Sequence, residues 1–196
     1  DFLYMFYGAK SFNQDIGDWD VSNATSFLCM FCKAASFNQN LSKWNTRRVT
    51  TFSSMFAFAL TFNGDISTWD TQNVECMADM FSLATCFNKD VSSWNTSRVT
   101  YMPSMFREAS SFNQDLSSWN TANVTNMCCM FYNASSFNQD LSSWNTANVT
   151  KIQGMFYGAT TFCQNISSWN VANVVEMNAM FLGAALVKEE WKPNFR

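Results

Sequence analysis

Residues 124–148 read Val124-Thr-Asn-Met-Cys-Cys-Met-Phe-Tyr-Asn-Ala-Ser-Ser-Phe-Asn-Gln-Asp-Leu-Ser-Ser-Trp-Asn-Thr-Ala-Asn148, and Val149-Thr150 begins the same phrase again. A fixed period of this length decides the fold before any local propensity is weighed, because it marks a chain built from stacked units. Met-Phe starts at Met5, Met30, Met55, Met80, Met105, Met130, Met155 and Met180, with no insertion or deletion between them. Tryptophan keeps the interval from Trp19 to Trp169, alanine from Ala9 to Ala184 and phenylalanine from Phe12 to Phe162. Four columns in one register imply a single solenoid of about eight 25-residue units over residues 1–186. Residues 187–196 depart from the pattern, with Val187 in the phenylalanine column and Lys188-Glu189-Glu190-Trp191 after it, and are expected to form a C-terminal cap.

Inside one unit, Met127, Met130, Phe131 and Ala134 fall at i, i+3, i+4 and i+7, which predicts a short helix of two to three turns. Thr125, with Thr50, Thr100 and Thr150, stands where a side-chain oxygen would cap that helix. From Phe137 through Leu141 to Trp144 the sequence predicts a short strand, closed by an Asx turn at Asn145 and its equivalents. The expected fold is therefore an α/β repeat solenoid, each unit giving one short parallel strand and one short helix. Stacking would place each Trp, Phe and Met on its copy in the next unit and form the core as ladders.

The signature V-T-x-M-x-x-M-F-x-x-A-x-x-F-N-x-D-[IL]-S-x-W, as it stands at Val124–Trp144, resembles the 25-residue repeat of BspA-like surface proteins, also called the mycoplasma-lipoprotein-associated repeat. The resemblance implies a leucine-rich-repeat-like solenoid in secreted or surface-attached proteins, associated with adhesion and protein binding and sharing no catalytic residues. It also points to an extracellular or cell-surface location, with an organellar or intracellular assembly as the other setting.

Composition narrows the function. The chain has no histidine, which removes the commonest general base and metal ligand, and it has no phosphate-binding glycine loop. We therefore expect no enzyme and no cofactor. A net charge of −3 offers no general attraction to nucleic acid, and no apolar run suggests membrane insertion. The acidic column Asp65, Asp90, Asp115 and Asp140, continued by Asp15, Asn40 and Asn165, would stack carboxylates and is a candidate for calcium, with a solvated, hydrogen-bonded ladder as the plainer reading. Seven cysteines occupy several columns, so they do not form a recurring disulfide framework, and Cys29-x-x-Cys32 lacks the context of a redox or zinc motif. N-x-S/T triplets at Asn123 and Asn148 arise from the repeat itself.

Function is then to be sought where exposed positions break the repeat. Phe58, Leu60 and Leu83 make a candidate apolar patch, Tyr132 and Tyr157 share a column, and Arg47, Arg48 and Arg98 gather basic charge. The expected role is a protein-interaction or adhesion module whose partner is a protein or glycan. A permanent scaffolding subunit is the alternative. An ice-binding face is a third, motivated by the Ser67–Ser167 and Thr46–Thr146 hydroxyl columns. The N-terminal side is expected to continue into more chain or to dock on a neighbour.

Overall fold

The computed structural model describes residues 2–195; Asp1 and Arg196, the latter the last residue of the expected cap, lie outside them. The chain winds in coils of 25 residues that begin at 1, 26, 51, 76, 101, 126, 151 and 176, and the repeat columns stack as expected. The expected α/β content is not there. Among the described residues the only helical piece is the 3-10 turn Glu189–Trp191, and parallel pairing is reduced to isolated single-residue bridges, Ser26↔Thr51, Thr51↔Cys76, Cys76↔Tyr101 and onward to Lys151↔Glu176. The leucine-rich-repeat-like picture of a strand and a helix per unit is thus corrected: each coil is a ring of β-turns.

In the second coil five turns, Phe27–Met30, Phe31–Ala34, Ala34–Phe37, Leu41–Trp44 and Thr46–Val49, each have the fourth N–H donating to the first carbonyl at 2.9–3.0 Å, and a sixth, Cys29–Cys32, overlaps the first two at 3.1 Å. Both ends of these five turns but the last are apolar, and all nine of their end positions are buried. The helical spacing is therefore explained without a helix. Two consecutive four-residue turns place their inward ends at i, i+3, i+4 and i+7, the same spacing as one helix face. The backbone decides between them: Cys29 and Lys33, the third residues of the first two turns, have φ of 55° and 62°. These positions stay left-handed along the chain, at Ser54, Asp79, Ser104 and Cys129 in one column and at Gly8, Phe58, Leu83, Glu108, Asn133 and Gly158 in the other. A helix cannot pass through a left-handed residue every fourth position, whereas a type II turn requires one.

Hydrogen bonds divide between the coil and the stack. Met30, Cys32 and Ala34 N–H groups close turns, while the alternate Phe27, Cys29, Phe31 and Lys33 N–H groups donate to the carbonyls of Thr51, Ser53, Met55 and Ala57 in the next coil. Pro103 shows how closely this is balanced. In its column the amides of Leu28, Ser53 and Cys128 donate to the side chains of Ser26, Thr51 and Asn126 two residues earlier. In the fifth coil that residue is Tyr101, and the proline opposite has no amide to satisfy.

The core is the interior of the tube. Phe31 stacks on Phe37 at 4.0 Å within its coil and on Phe56 at 5.6 Å in the next. Trp44 lies parallel to Trp69 at 6.2 Å, and the indole N–H of Trp69 donates to the carbonyl of Leu41. Burying each such ring stabilises by roughly 1.5–3 kcal/mol. A second ladder runs outside the core: Asn13, Asn38, Asn63, Asn88 and Asn113 each present Oδ1 to the backbone N–H of the equivalent asparagine one coil on, and Asn138 presents it to Cys163. The Thr column expected to cap helices does something else. Thr50 and Thr125 donate both N–H and hydroxyl to the carbonyl one coil back.

Candidate interaction face

The core, Asn, Asx and Thr columns are explained by stacking, and the side chains there repeat because their bonds do. The acidic column shows this best. Asp65, Asp90, Asp115 and Asp140 each accept the N–H of the serine two residues on at 2.8–3.0 Å, as do Asn40 and Asn165. Each is an Asx turn that amide and carboxylate close equally well, which accounts for asparagine in the column. These bonds hold the carboxyl groups of Asp65 and Asp90 below their ordinary range. No group of three or more Cys, Asp or Glu side chains is arranged to hold a metal ion among the described residues. The second Asx column, Asp20 to Asn170, closes turns in the same way.

The hydroxyl columns are likewise engaged. Thr46, Thr71, Thr96, Thr121 and Thr146 are buried and donate to the carbonyl of the next coil. Ser67 and Ser167 turn their hydroxyls to Asp65 and Asn165.

The paired left-handed turns, by contrast, carry side chains that vary. Here the outward positions hold Tyr7, Lys33, Phe58, Leu83, Arg107, Tyr132 and Tyr157, no two neighbouring coils alike until the last pair. Position by position the backbone is constant, with Lys33, Phe58, Leu83, Glu108 and Asn133 N–H groups bonded to the following coil at 2.6–2.7 Å. A rigid frame thus carries side chains it does not specify.

Two clusters form on this face. In the first, the Lys33 ammonium lies 5.3 Å from the Tyr7 ring and 6.0 Å from the Phe58 ring, and its hydrogen bond to Tyr7 raises its pKa. Phe58 and Leu60 are each 42% exposed, and Leu83 follows half-buried in the next coil. In the second, Tyr132 and Tyr157 stack at 4.5 Å with 3° between their planes, and the Arg107 guanidinium lies 4.8 Å from the centre of the Tyr132 ring. Arg107 also pairs with Glu108 and faces Asp79, whose carboxyl is pushed up by burial against the pull of that arginine.

The structure thus brings Phe58 and Leu83 to one face with Tyr132 and Tyr157, while Leu60 stands exposed in the adjoining Ala59–Phe62 turn. It leaves Arg47, Arg48 and Arg98 elsewhere, where Arg48 and Arg98 donate to Asn23 and Asn73 one coil back. Tyr7 and Arg107 escaped the sequence reading, although they occupy the same column as Tyr132 and Tyr157. Five cysteines, Cys29, Cys32, Cys76, Cys128 and Cys129, also fall on the paired-turn side, all as free thiols. Burial pushes the Cys32 thiol up to about 11 and the Cys128 thiol up to about 12, so neither is a nucleophile near neutral pH.

The sequence matches the family model described as Mycoplasma protein of unknown function, DUF285, over residues 1–94 and again over 85–194. No curated protein matches it.

Proposed function

We propose, from the premise that this chain belongs to the Mycoplasma repeat family DUF285, that it is a non-enzymatic interaction module whose paired-turn face binds a protein partner. One observation carries the reading. The apolar, Asn, Asx and Thr columns are explained by a bond or a packing contact within the stack, whereas on this face residues vary without structural need, aromatic and cationic together. Tyrosine, phenylalanine and arginine are the side chains that anchor protein interfaces. The resemblance to BspA-like proteins supports an adhesive role at a cell surface.

Capture of partner by immobilised chain tests this. Phe58→Ser with Leu83→Ser, and separately Arg107→Ala with Tyr132→Ala and Tyr157→Ala, are expected to lower capture of one defined partner by about tenfold or more, with little change in Tm. Arg47→Ser with Arg48→Ser, on another face, is the control and is expected to capture normally. Wild-type capture by both paired-turn variants would sink the proposal.

A further inference from the structure

The asparagine ladder is not bonded alike on every rung. Asn13, Asn88, Asn113 and Asn138 each accept two hydrogen bonds at Oδ1, one from the backbone N–H of the residue one coil on and one from the amide of the glutamine that follows it, Gln39, Gln114, Gln139 or Gln164. Asn38 and Asn63 accept only the first, from Asn63 and Asn88, because Gly64 and Lys89 stand where the glutamine would.

Of these two rungs Asn63 is the one followed by glycine, and Asn63-Gly64 is the only Asn-Gly step in the chain. Packing holds the glycine there: a Cβ at residue 64 would lie 2.0 Å from the Gln39 carbonyl oxygen. The Gly64 amide makes no hydrogen bond among the described residues, and neither does Asn63 Nδ2. An attacking nitrogen without a side chain beside it and a leaving group without a partner thus adjoin on a rung held by one bond.

We propose that Asn63-Gly64 is a site of spontaneous main-chain modification, at which the unhindered Gly64 nitrogen attacks the Asn63 carboxamide when that rung opens. The new N–Cγ bond closes a succinimide ring; the Gly64 nitrogen gives up its proton, and Asn63 Nδ2 takes it and leaves as ammonia. Water then opens the ring. Opening at Cγ leaves aspartate on the ordinary main chain, whereas opening at the Asn63 main-chain carbonyl leaves isoaspartate, whose chain runs through Cγ and is one methylene longer. Aspartate still offers an oxygen to the Asn88 N–H, as Asp65 does to Ser67. The extra methylene instead puts the backbone after residue 63 out of step with the coils on either side. A rung with one bond fewer opens at lower cost, and it reacts from the open form.

The test incubates the folded full chain at mildly alkaline pH and follows each asparagine by peptide mass mapping. Asn63 is expected to convert before any other. Lys89→Gln returns the second bond to Asn63 Oδ1 and is expected to slow that conversion by about two- to tenfold, while in concentrated urea parent and variant convert at one rate. Another asparagine converting first, a folded Lys89→Gln chain converting as fast as the parent, or a difference that persists in urea would each overturn the proposal.

Discussion

At the scale of single residues, the ladder makes each side chain answer to two neighbours. Trp119 is buried between Trp94 at 6.4 Å and Trp144 at 6.5 Å, and its indole N–H donates to the Val91 carbonyl at 3.0 Å. Trp119→Ala opens a cavity that touches three coils and is expected to cost about 3–5 kcal/mol in urea unfolding. Trp119→Phe keeps a ring in the stack and leaves the Val91 carbonyl with the Trp94 N–H alone, so it is expected to cost the one lost bond, about 0.5–1.5 kcal/mol. A phenylalanine variant as stable as the parent would show that the indole bond carries no weight. The Asx columns predict a pH effect of definite sign. Asp65 and Asp90 have folded-state pKa values below the ordinary carboxylate value because the carboxylate accepts the Ser67 and Ser92 N–H groups. Their contribution is therefore fully present above the unfolded pKa and fades as pH falls through the lower folded value. Asp65→Asn with Asp90→Asn, copying the residues at 40 and 165, is expected to flatten the loss of Tm on acidification below about pH 4 while leaving Tm near neutral pH almost unchanged. An acid limb as steep as the parent's would contradict this.

At the scale of the element, the turn with a left-handed third residue is the unit that the rest is built on. Glu108 holds φ of 57° with a partly exposed side chain. Glycine meets no Cβ penalty there, so Glu108→Gly is expected to raise stability by up to about 1 kcal/mol, the relief of strain exceeding the entropy glycine brings to the unfolded chain. Glu108→Val places a β-branched residue in a region it rarely enters and should destabilise by more than that gain. Thermal unfolding of the pair decides it, and a valine variant matching the glycine one would remove the strain argument. The same turns mark the limit of what could be read beforehand. The period, the core columns of Phe, Met, Ala and Trp and the Asx turn at Asn145 were legible because each is a repeated side-chain requirement. The helix and strand were misread because Met127, Met130, Phe131 and Ala134 have a spacing that two consecutive turns reproduce. A signal against the helix was nonetheless present: Gly8, Asn133, Gly158 and Gly183 share one column, and glycine with asparagine is the mark of a left-handed position. On the candidate face, Phe58 and Tyr132 could be found as departures from the repeat. Their union with Lys33 and Arg107 could not, because it depends on which two columns the turns push outward.

For the whole molecule, contacts between coils are all nearest-neighbour, so stability should add as coil terms plus junction terms along one dimension. The side chains that hold one junction, Trp144 on Leu116, Thr121 on Asn145 and Asn138 on Asn113, have counterparts at interior junctions on either side. Removing residues 102–126 joins Tyr101 to Met127 in register and takes away one coil with one junction. The shortened chain is expected to unfold cooperatively, with a urea m value lower by about one eighth, as surface exposed on unfolding falls in proportion. Removing 12 residues instead, 102–113, lays paired turns over the asparagine ladder and sets Trp119 beside no tryptophan below. Its hydrogen bonds find no partners across that one junction, and the two halves are expected to melt separately. The contrast is measurable in a single pair of denaturation curves. A half-coil deletion that still melts in one transition would mean that cooperativity is not carried by register between neighbouring coils, and the one-dimensional account of this fold would fail with it.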